Sequence, residues 1–99
     1  MLTYEAAKKM GIDACVEKLG RDFVKMHKDT SCAGYGDAED YAFCYVGVDD
    51  RPEPNWNNSE IVLDDGADSK FPYIASCNVW YADGRIEFQN CVLPKVASI

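Results

Sequence analysis

Hydrophobic residues between positions 12 and 26 recur every three or four residues, which is the spacing of one face of an α-helix. On a helical wheel of about 100° per residue, this stripe contains Ile12, Val16, Leu19, Phe23 and Met26. Cys15 lies at the edge of the stripe. Charged side chains occupy the opposite side. Asp13 is the expected N-cap, so the pattern predicts an amphipathic helix from there to about Lys28.

A shorter helical segment precedes this one. Thr3 is suited to cap a helix over residues 4–10, which are rich in Ala and Lys. Gly11 follows where a helix-ending glycine is common. When the wheel is extended back through Gly11, Ala6 and Met10 fall off the apolar stripe. The sequence therefore predicts two helical pieces with a break near Gly11.

The rest of the chain has the alternation and composition of β-strands separated by loops. Four strand segments are predicted, at residues 41–48, 60–64, 71–82 and 85–93. The intervening residues 29–40, 49–59 and 65–69 are predicted as loops or turns, because Gly, Pro, Asn, Asp and Ser dominate them. Asp83-Gly84 separates the last two strands and is typical of a two-residue type I′ hairpin.

That hairpin predicts which residues share a face of the sheet. A two-residue loop pairs Ala82 with Arg85 and places Val79 opposite Phe88. The expected core face then consists of Ala75, Val79, Tyr81, Ile86, Phe88 and Val92. A one-residue slip would mix apolar and polar residues on both faces, so the two-residue register is favoured.

The second face of the hairpin holds the candidate site. It contains Trp80, Asn78, Gln89 and Glu87, and Tyr45 and Phe43 join it if the 41–48 strand turns its aromatic residues to the same side. Aromatic side chains supply contact area and amides supply orientation. This face is therefore a candidate ligand pocket or dimer interface. The alternative is that Trp80 simply lies flat on its own sheet.

These elements predict a single α+β domain over residues 1–99, with an N-terminal helix in two pieces packed on a curved antiparallel sheet of about four strands. In layout, residues 13–93 resemble the cystatin-like and NTF2-like families. That resemblance implies a curved sheet wrapped on a helix, often a dimer, and sometimes a pocket. It rests on element order, so no functional residue is carried over from either family.

The charge distribution bears on partners. The net charge is −7, and residues 37–68 contain ten acidic residues and one basic residue. Phosphate binding needs the opposite sign, so the composition argues against nucleic acid. Solubility explains this acidic segment most simply, and the alternative is that it binds a basic protein or mimics an acidic polymer. No apolar run is long enough to span a membrane. The first residues lack the features of a secretory signal, so a cytoplasmic location is expected.

Candidate chemistry in the sequence is sparse. The five cysteines lack C-x-x-C spacing, and Cys15, Cys44 and Cys77 are expected to be buried as small hydrophobic residues. His27 is the one histidine, and a lone helical histidine beside a core is usually structural. The acidic turn at residues 64–68 departs from a calcium-binding loop at its ligand positions. We therefore predict no catalytic group, metal or cofactor.

The functional expectation is a small binding or interaction domain that forms a homodimer through the open sheet face. Two alternatives stay open. One is an enzyme or ligand carrier with an NTF2-like pocket on that face, using Glu87, Tyr45 or His27. The other is an acidic inhibitor or immunity-type protein that binds a basic partner.

Overall fold

The architecture is an N-terminal helix packed on an open, four-stranded antiparallel sheet, as the sequence predicts. The structure, a computed structural model, describes residues 1–49 and 71–94. The helices are α1 (Tyr4–Leu19) and α2 (Arg21–Met26), followed by a 3₁₀ turn (Lys28–Thr30). The strands are β1 (Ser31–Asp37), β2 (Tyr41–Val48), β3 (Tyr73–Trp80) and β4 (Ile86–Phe88), in the order β1-β2-β3-β4. The predicted strand at 60–64 and turn at 65–69 lie outside the described residues.

Helix α1 runs without interruption through Gly11, so the predicted break at that glycine is wrong. The predicted cap is correct: Thr3 Oγ1 accepts a hydrogen bond of 3.1 Å from the Ala6 N–H. Gly11 lies on the sheet side of the helix, where an added Cβ would stand 2.9 Å from Cys44 Cβ and 3.0 Å from Val79 Cγ2. This glycine therefore allows the helix to approach the sheet and does not end it.

The helical segment does divide into two pieces, but the division is at Gly20. Gly20 has a φ of 103°, which side chains other than glycine rarely tolerate. Its N–H bonds to Val16 O at 2.9 Å and to Glu17 O at 3.2 Å, which closes the end of α1. Helix α2 begins after this non-helical residue, so one helical wheel cannot describe residues 12–26.

The buried stripe of α1 differs from the predicted one for that reason. It recurs at four-residue intervals and consists of Ala7, Gly11, Cys15 and Leu19. Ile12 and Val16 are half-buried beside it, and Met26, predicted as core, is 74% exposed. Three of the four stripe residues are small, so the helix packs close to β2 and β3 and relies on the strands for most of the large core side chains.

Residues 31–37 form strand β1, so the predicted loop over this part of the chain is wrong. Their Gly, Ser and Asp content resembles a turn, yet they pair with the whole of β2, from Ser31 opposite Val48 to Asp37 opposite Ala42. The ring of Tyr45 occupies the space where a side chain at Gly34 would lie. The long-range pairing with β2 therefore outweighs the weak strand preference of these residues.

Strands β2 and β3 form the centre of the sheet, and β2 has the predicted bounds. Ala42, Cys44 and Val46 lie opposite Val79, Cys77 and Ala75, and all of these side chains are buried beneath α1. Tyr41, Phe43 and Tyr45 lie opposite Trp80, Asn78 and Ser76 on the other face. The aromatic residues of β2 therefore do share the face of Trp80.

The β3–β4 hairpin has a longer connection than the predicted two-residue turn. Trp80 N–H bonds to Arg85 O at 2.9 Å, and residues 81–84 form the loop, in which Gly84 has a φ of 73°. Val79 pairs with Ile86 and not with Phe88. Because the shift within β4 is two residues, Ile86, Glu87 and Phe88 keep their predicted faces while changing their partners.

Strand β4 is much shorter than predicted. It has three residues, and the bridge between Ile74 and Val92 follows only after an extra residue on the β4 side. Phe88 and Val92 are exposed, so their predicted place in the core is wrong. The core is concentrated in β2 and β3, with Ile86 half-buried at its edge.

Candidate functional site

The outer face of the sheet, opposite α1, carries an aromatic stack at its hairpin end. The rings of Tyr41 and Trp80 have centroids 5.0 Å apart, and the Arg85 guanidinium lies 5.2 Å from the Trp80 ring. Arg85 also stands 3.8 Å from the Glu87 carboxylate. We call these residues, with Asn78 beside them, the Trp80 patch. It presents aromatic surface together with an amide and an exposed ion pair.

The indole nitrogen of Trp80 is unusual within this patch. It is enclosed, and it is the one buried side-chain nitrogen or oxygen in the described part of the chain that has no hydrogen-bond partner. An enclosed N–H without a partner costs free energy, roughly 1–3 kcal/mol. The Trp80 ring is therefore held by its contacts with the Tyr41 ring and the Arg85 guanidinium and not by its polar atom.

The middle of the outer face is closed. Tyr45 is only 3% exposed, and burial raises the pKa of its hydroxyl group. Ser76 is also buried: its hydroxyl accepts a 3.0 Å hydrogen bond from Asn90 N–H. The ring of Phe71 fills the space over Gly47. The predicted open face is thus open mainly at the Trp80 patch.

The structure brings four of the six predicted site residues close together: Trp80, Asn78, Phe43 and Tyr45 lie on neighbouring strands of the outer face. Glu87 pairs with Asn78 from β4 and is exposed. Gln89 lies beyond the end of β4, where its N–H bonds to Ser76 O at 2.8 Å. Their role as ligand or interface residues stays a prediction.

A second surface, which the sequence reasoning missed, lies between α1 and β1. Helix α1 packs mainly over β2 and β3 and leaves most of the inner side of β1 exposed. The resulting groove, of about 590 Å³, is lined by Glu5, Lys8, Lys9, Ile12, Asp13, Val16, Ala33 and Tyr35. Its floor is apolar and its charged groups come from α1. Because the composition of residues 31–37 predicts a loop, the sequence does not indicate this groove.

Lys8 is fixed at one end of this groove. Its Nζ lies 3.1 Å from the Glu5 carboxylate and 4.3 Å from the centre of the Tyr35 ring, with Tyr4 on another side at 5.7 Å. The hydrogen bond to Glu5 raises the pKa of Lys8. The amine therefore stays cationic and holds the exposed Tyr35 ring by a cation–π contact.

Strand β1 is an edge of the sheet, because β2 is its one neighbour within the described residues. Hydrogen bonds at its two ends, from Asp49 N–H to Thr30 O and from Ala38 N–H to Tyr41 O, fix which backbone groups face β2. Because hydrogen bonding alternates along an antiparallel ladder, the backbone groups of residues 32, 34 and 36 form hydrogen bonds with β2. The backbone groups of Ser31, Ala33, Tyr35 and Asp37 point to the free edge.

Three cysteines meet between α1 and the sheet, which confirms the predicted burial of Cys15, Cys44 and Cys77. Cys15 Sγ and Cys77 Sγ are 3.6 Å apart, and Cys44 lies directly opposite Cys77. Hydrogen bonding with Cys15 and burial raise the pKa of Cys77 to about 12, and a hydrogen bond with Cys77 raises that of Cys44. Cys44 and Cys77 are therefore protonated at neutral pH, and all three side chains pack in the core.

His27 and Tyr81 make contacts that are typical of structural side chains. The His27 ring packs edge-on against Phe23 with centroids 5.0 Å apart. Tyr81 donates a hydrogen bond to the Asp37 carboxylate, and burial together with this bond raises the pKa of Tyr81 to about 12. Among the described residues, no group of three potential metal ligands lies close enough together to hold an ion.

Comparison with protein-family models, with curated proteins and with solved structures gives no match to this chain. The helices of the described residues are all too short or too polar to cross a membrane. Inference about function therefore depends on the two surfaces, the Trp80 patch and the β1 edge with its groove.

Proposed function

We propose that this chain is a small interaction module that works as a homodimer and not as an enzyme. The observation that carries the proposal is the edge of β1, which no strand among residues 1–49 and 71–94 covers on its outer side. It is seven residues long and has exposed residues at every second position, Ala33, Tyr35 and Asp37. A long edge of this kind is a template for pairing with another chain.

In the part of the chain that the structure describes, this edge lacks most of the devices by which proteins prevent such pairing. Strand β1 contains no proline and no lysine, and its register with β2 runs without a bulge. Its glycines at positions 34 and 36 keep the strand free of bulky side chains on the outer face. An unprotected edge that is retained in a folded protein is best explained by a partner that covers it.

The titratable groups support a binding role over catalysis. The shifted tyrosine and cysteine pKa values in the described residues all rise, away from neutral pH. A general acid or base works best with a pKa near the pH of the reaction. These groups therefore favour packing and hydrogen bonding over proton transfer.

The alternative expectations are less well supported by the geometry. A pocket on the outer face would need space around Tyr45 and Ser76, which are both buried. The acidic segment includes exposed Glu39 and Asp40, but Asp49 is buried, and the segment's other acids lie outside the described residues. The cytoplasmic location stays a prediction.

Light scattering coupled to size-exclusion chromatography tests the proposal. One chain has a mass of 11.1 kDa, so a dimer has a mass of about 22 kDa. We expect the dimer mass at micromolar concentrations and a decline toward 11.1 kDa on dilution. A mass of 11.1 kDa that persists at millimolar concentration would contradict the proposal.

A further inference from the structure

We infer that the two copies pair antiparallel through their β1 edges, with Gly34 at the two-fold axis, to give one continuous eight-stranded sheet. This inference rests on the proposed homodimer and names its interface. The partner is a second copy of this chain, and both helices lie on the same side of the joined sheet. Three features of β1 lead to this arrangement.

The first feature is the direction of the backbone groups. Ser31, Ala33, Tyr35 and Asp37 present their N–H and C=O groups to the free edge. An antiparallel pairing centred on Gly34 sets Ala33 against Tyr35 of the partner subunit and Ser31 against Asp37 of the partner subunit. The two-fold axis repeats both pairs, and each pair exchanges two hydrogen bonds, so the joined strands form about eight hydrogen bonds.

The second feature is the sizes of the paired side chains. Ala33 and Tyr35 both lie on the α1 side of the sheet, one small and one large, and Tyr35 is 53% exposed. In this register each tyrosine lies across the alanine of the other copy, over a groove with Ile12 and Val16 on its floor. A register that paired Ala33 with Ala33 would leave that groove unfilled.

The third feature is the charge at the two ends of β1. The residues just before the strand include exposed Lys25 and Lys28 together with Asp29. At the other end, the exposed acids are Asp37, Glu39 and Asp40. Antiparallel pairing brings the lysine end of one copy beside the acidic end of the other, whereas parallel pairing would place the two acidic ends together. Charge complementarity therefore favours the antiparallel arrangement.

The arrangement also preserves the Trp80 patch. Most of the patch lies away from the β1 edge, since β3, β4 and the loop between them carry all of its residues except Tyr41. Two copies joined at β1 hold both patches on the same outer side, one toward each end of the eight-stranded sheet.

Paired charge variants test the register. Ala33→Asp/Tyr35→Asp places like charges directly opposite each other across the axis, and we expect the mass to fall from about 22 kDa to that of one 11.1 kDa chain. Ala33→Lys/Tyr35→Asp places lysine opposite aspartate at both positions and is expected to restore the dimer. Both side chains are exposed, so circular dichroism should show the same fold in the two variants.

The outcomes separate the interface from the dimer itself. A wild-type monomer would overturn both the proposed function and this inference. If the wild-type protein is a dimer, the inference fails when Ala33→Asp/Tyr35→Asp stays dimeric or when Ala33→Lys/Tyr35→Asp does not restore it. A dimer that is abolished by Trp80→Ala but not by the aspartate pair would place the interface on the outer face and leave the proposed function standing.

Discussion

The three buried cysteines, Cys15, Cys44 and Cys77, lie close together between α1 and the sheet. Each of them donates its S–H to a neighbour: Cys77 to the Gly11 carbonyl at 3.6 Å, Cys44 to the Lys8 carbonyl at 3.7 Å, and Cys15 to Cys77 Sγ. A thiol that packs in this way is a small hydrophobic residue with a weak donor. Such a cluster stabilises the contact between α1 and the sheet and is protected from reagents.

A thiol titration with Ellman's reagent checks this description. In the native protein we expect reaction at the half-buried Cys32 and Cys91 only, and all five cysteines should react after denaturation. The raised pKa of Cys77, about 12, means that this pattern persists at pH 9. Rapid reaction of three or more thiols in the native state would contradict it.

The raised pKa of Cys77 also predicts how the stability of the fold depends on pH. Because the Cys77 pKa is about 12 in the folded state and 9.0 without its contacts, the folded state binds its proton more tightly. The resulting stabilisation is complete below about pH 9 and is lost as the pH rises toward 12. The free energy of unfolding, measured in urea at pH 8 and pH 10.5, should fall less in Cys77→Ala than in the wild-type protein. An equal fall in both would contradict the assignment to Cys77.

At the scale of elements, the approach of α1 to the sheet depends on Gly11. In an ordinary helix interior, replacing glycine by alanine stabilises by roughly 0.5–1 kcal/mol. Here an added Cβ meets Cys44 and Val79 at 3.0 Å or less. We expect Gly11→Ala to destabilise the fold by about 1–3 kcal/mol, measured by urea denaturation, because the helix must shift away from the strands.

Gly36→Ala is the matched control for that prediction. No atom lies within 4 Å of an added Cβ at Gly36, which is in a strand and has no positive φ. Its substitution should therefore leave stability unchanged or raise it slightly. If Gly11→Ala raised stability as much as Gly36→Ala, the close approach of α1 to the sheet would be wrong.

Element by element, the sequence predicted best what local patterns decide. The bounds of β2, the Thr3 cap and the sharing of faces within the hairpin follow from side-chain alternation and capping chemistry. Strand β1 was missed because its strand conformation depends on pairing with β2 and on the Tyr45 ring over Gly34. These are contacts between distant parts of the chain, and no window of local sequence contains them.

The breaks and turns were misplaced for a related physical reason. Gly11, Gly20 and Gly84 look alike in the sequence, but the first is needed for close packing and the other two for positive φ. The hairpin loop was taken as two residues because Asp-Gly favours that turn. In the structure the loop is longer, and Asp83 Oδ1 accepts a hydrogen bond of 3.0 Å from the Arg85 N–H.

At the scale of the whole molecule, the candidate site was predictable in part. Alternation along the strands placed Trp80, Asn78, Phe43 and Tyr45 on one face. It could not show that Tyr45 and Ser76 are buried there, since burial depends on packing from outside the strand. The groove and the free edge exist because α1 covers two strands of the four, a property of the assembled fold.

Amide hydrogen exchange at Ala33 and Tyr35, followed by NMR, tests the central claim most directly. These two amides point away from β2 and have no hydrogen-bond partner within the described part of one chain. Joined β1 strands would bond both of them. At concentrations where the protein is dimeric, we predict that both amides exchange at least about 100-fold more slowly than in an unstructured peptide and lose this protection on dilution. Rapid exchange of both amides in a protein that is otherwise dimeric and protected in β2 and β3 would contradict pairing through β1.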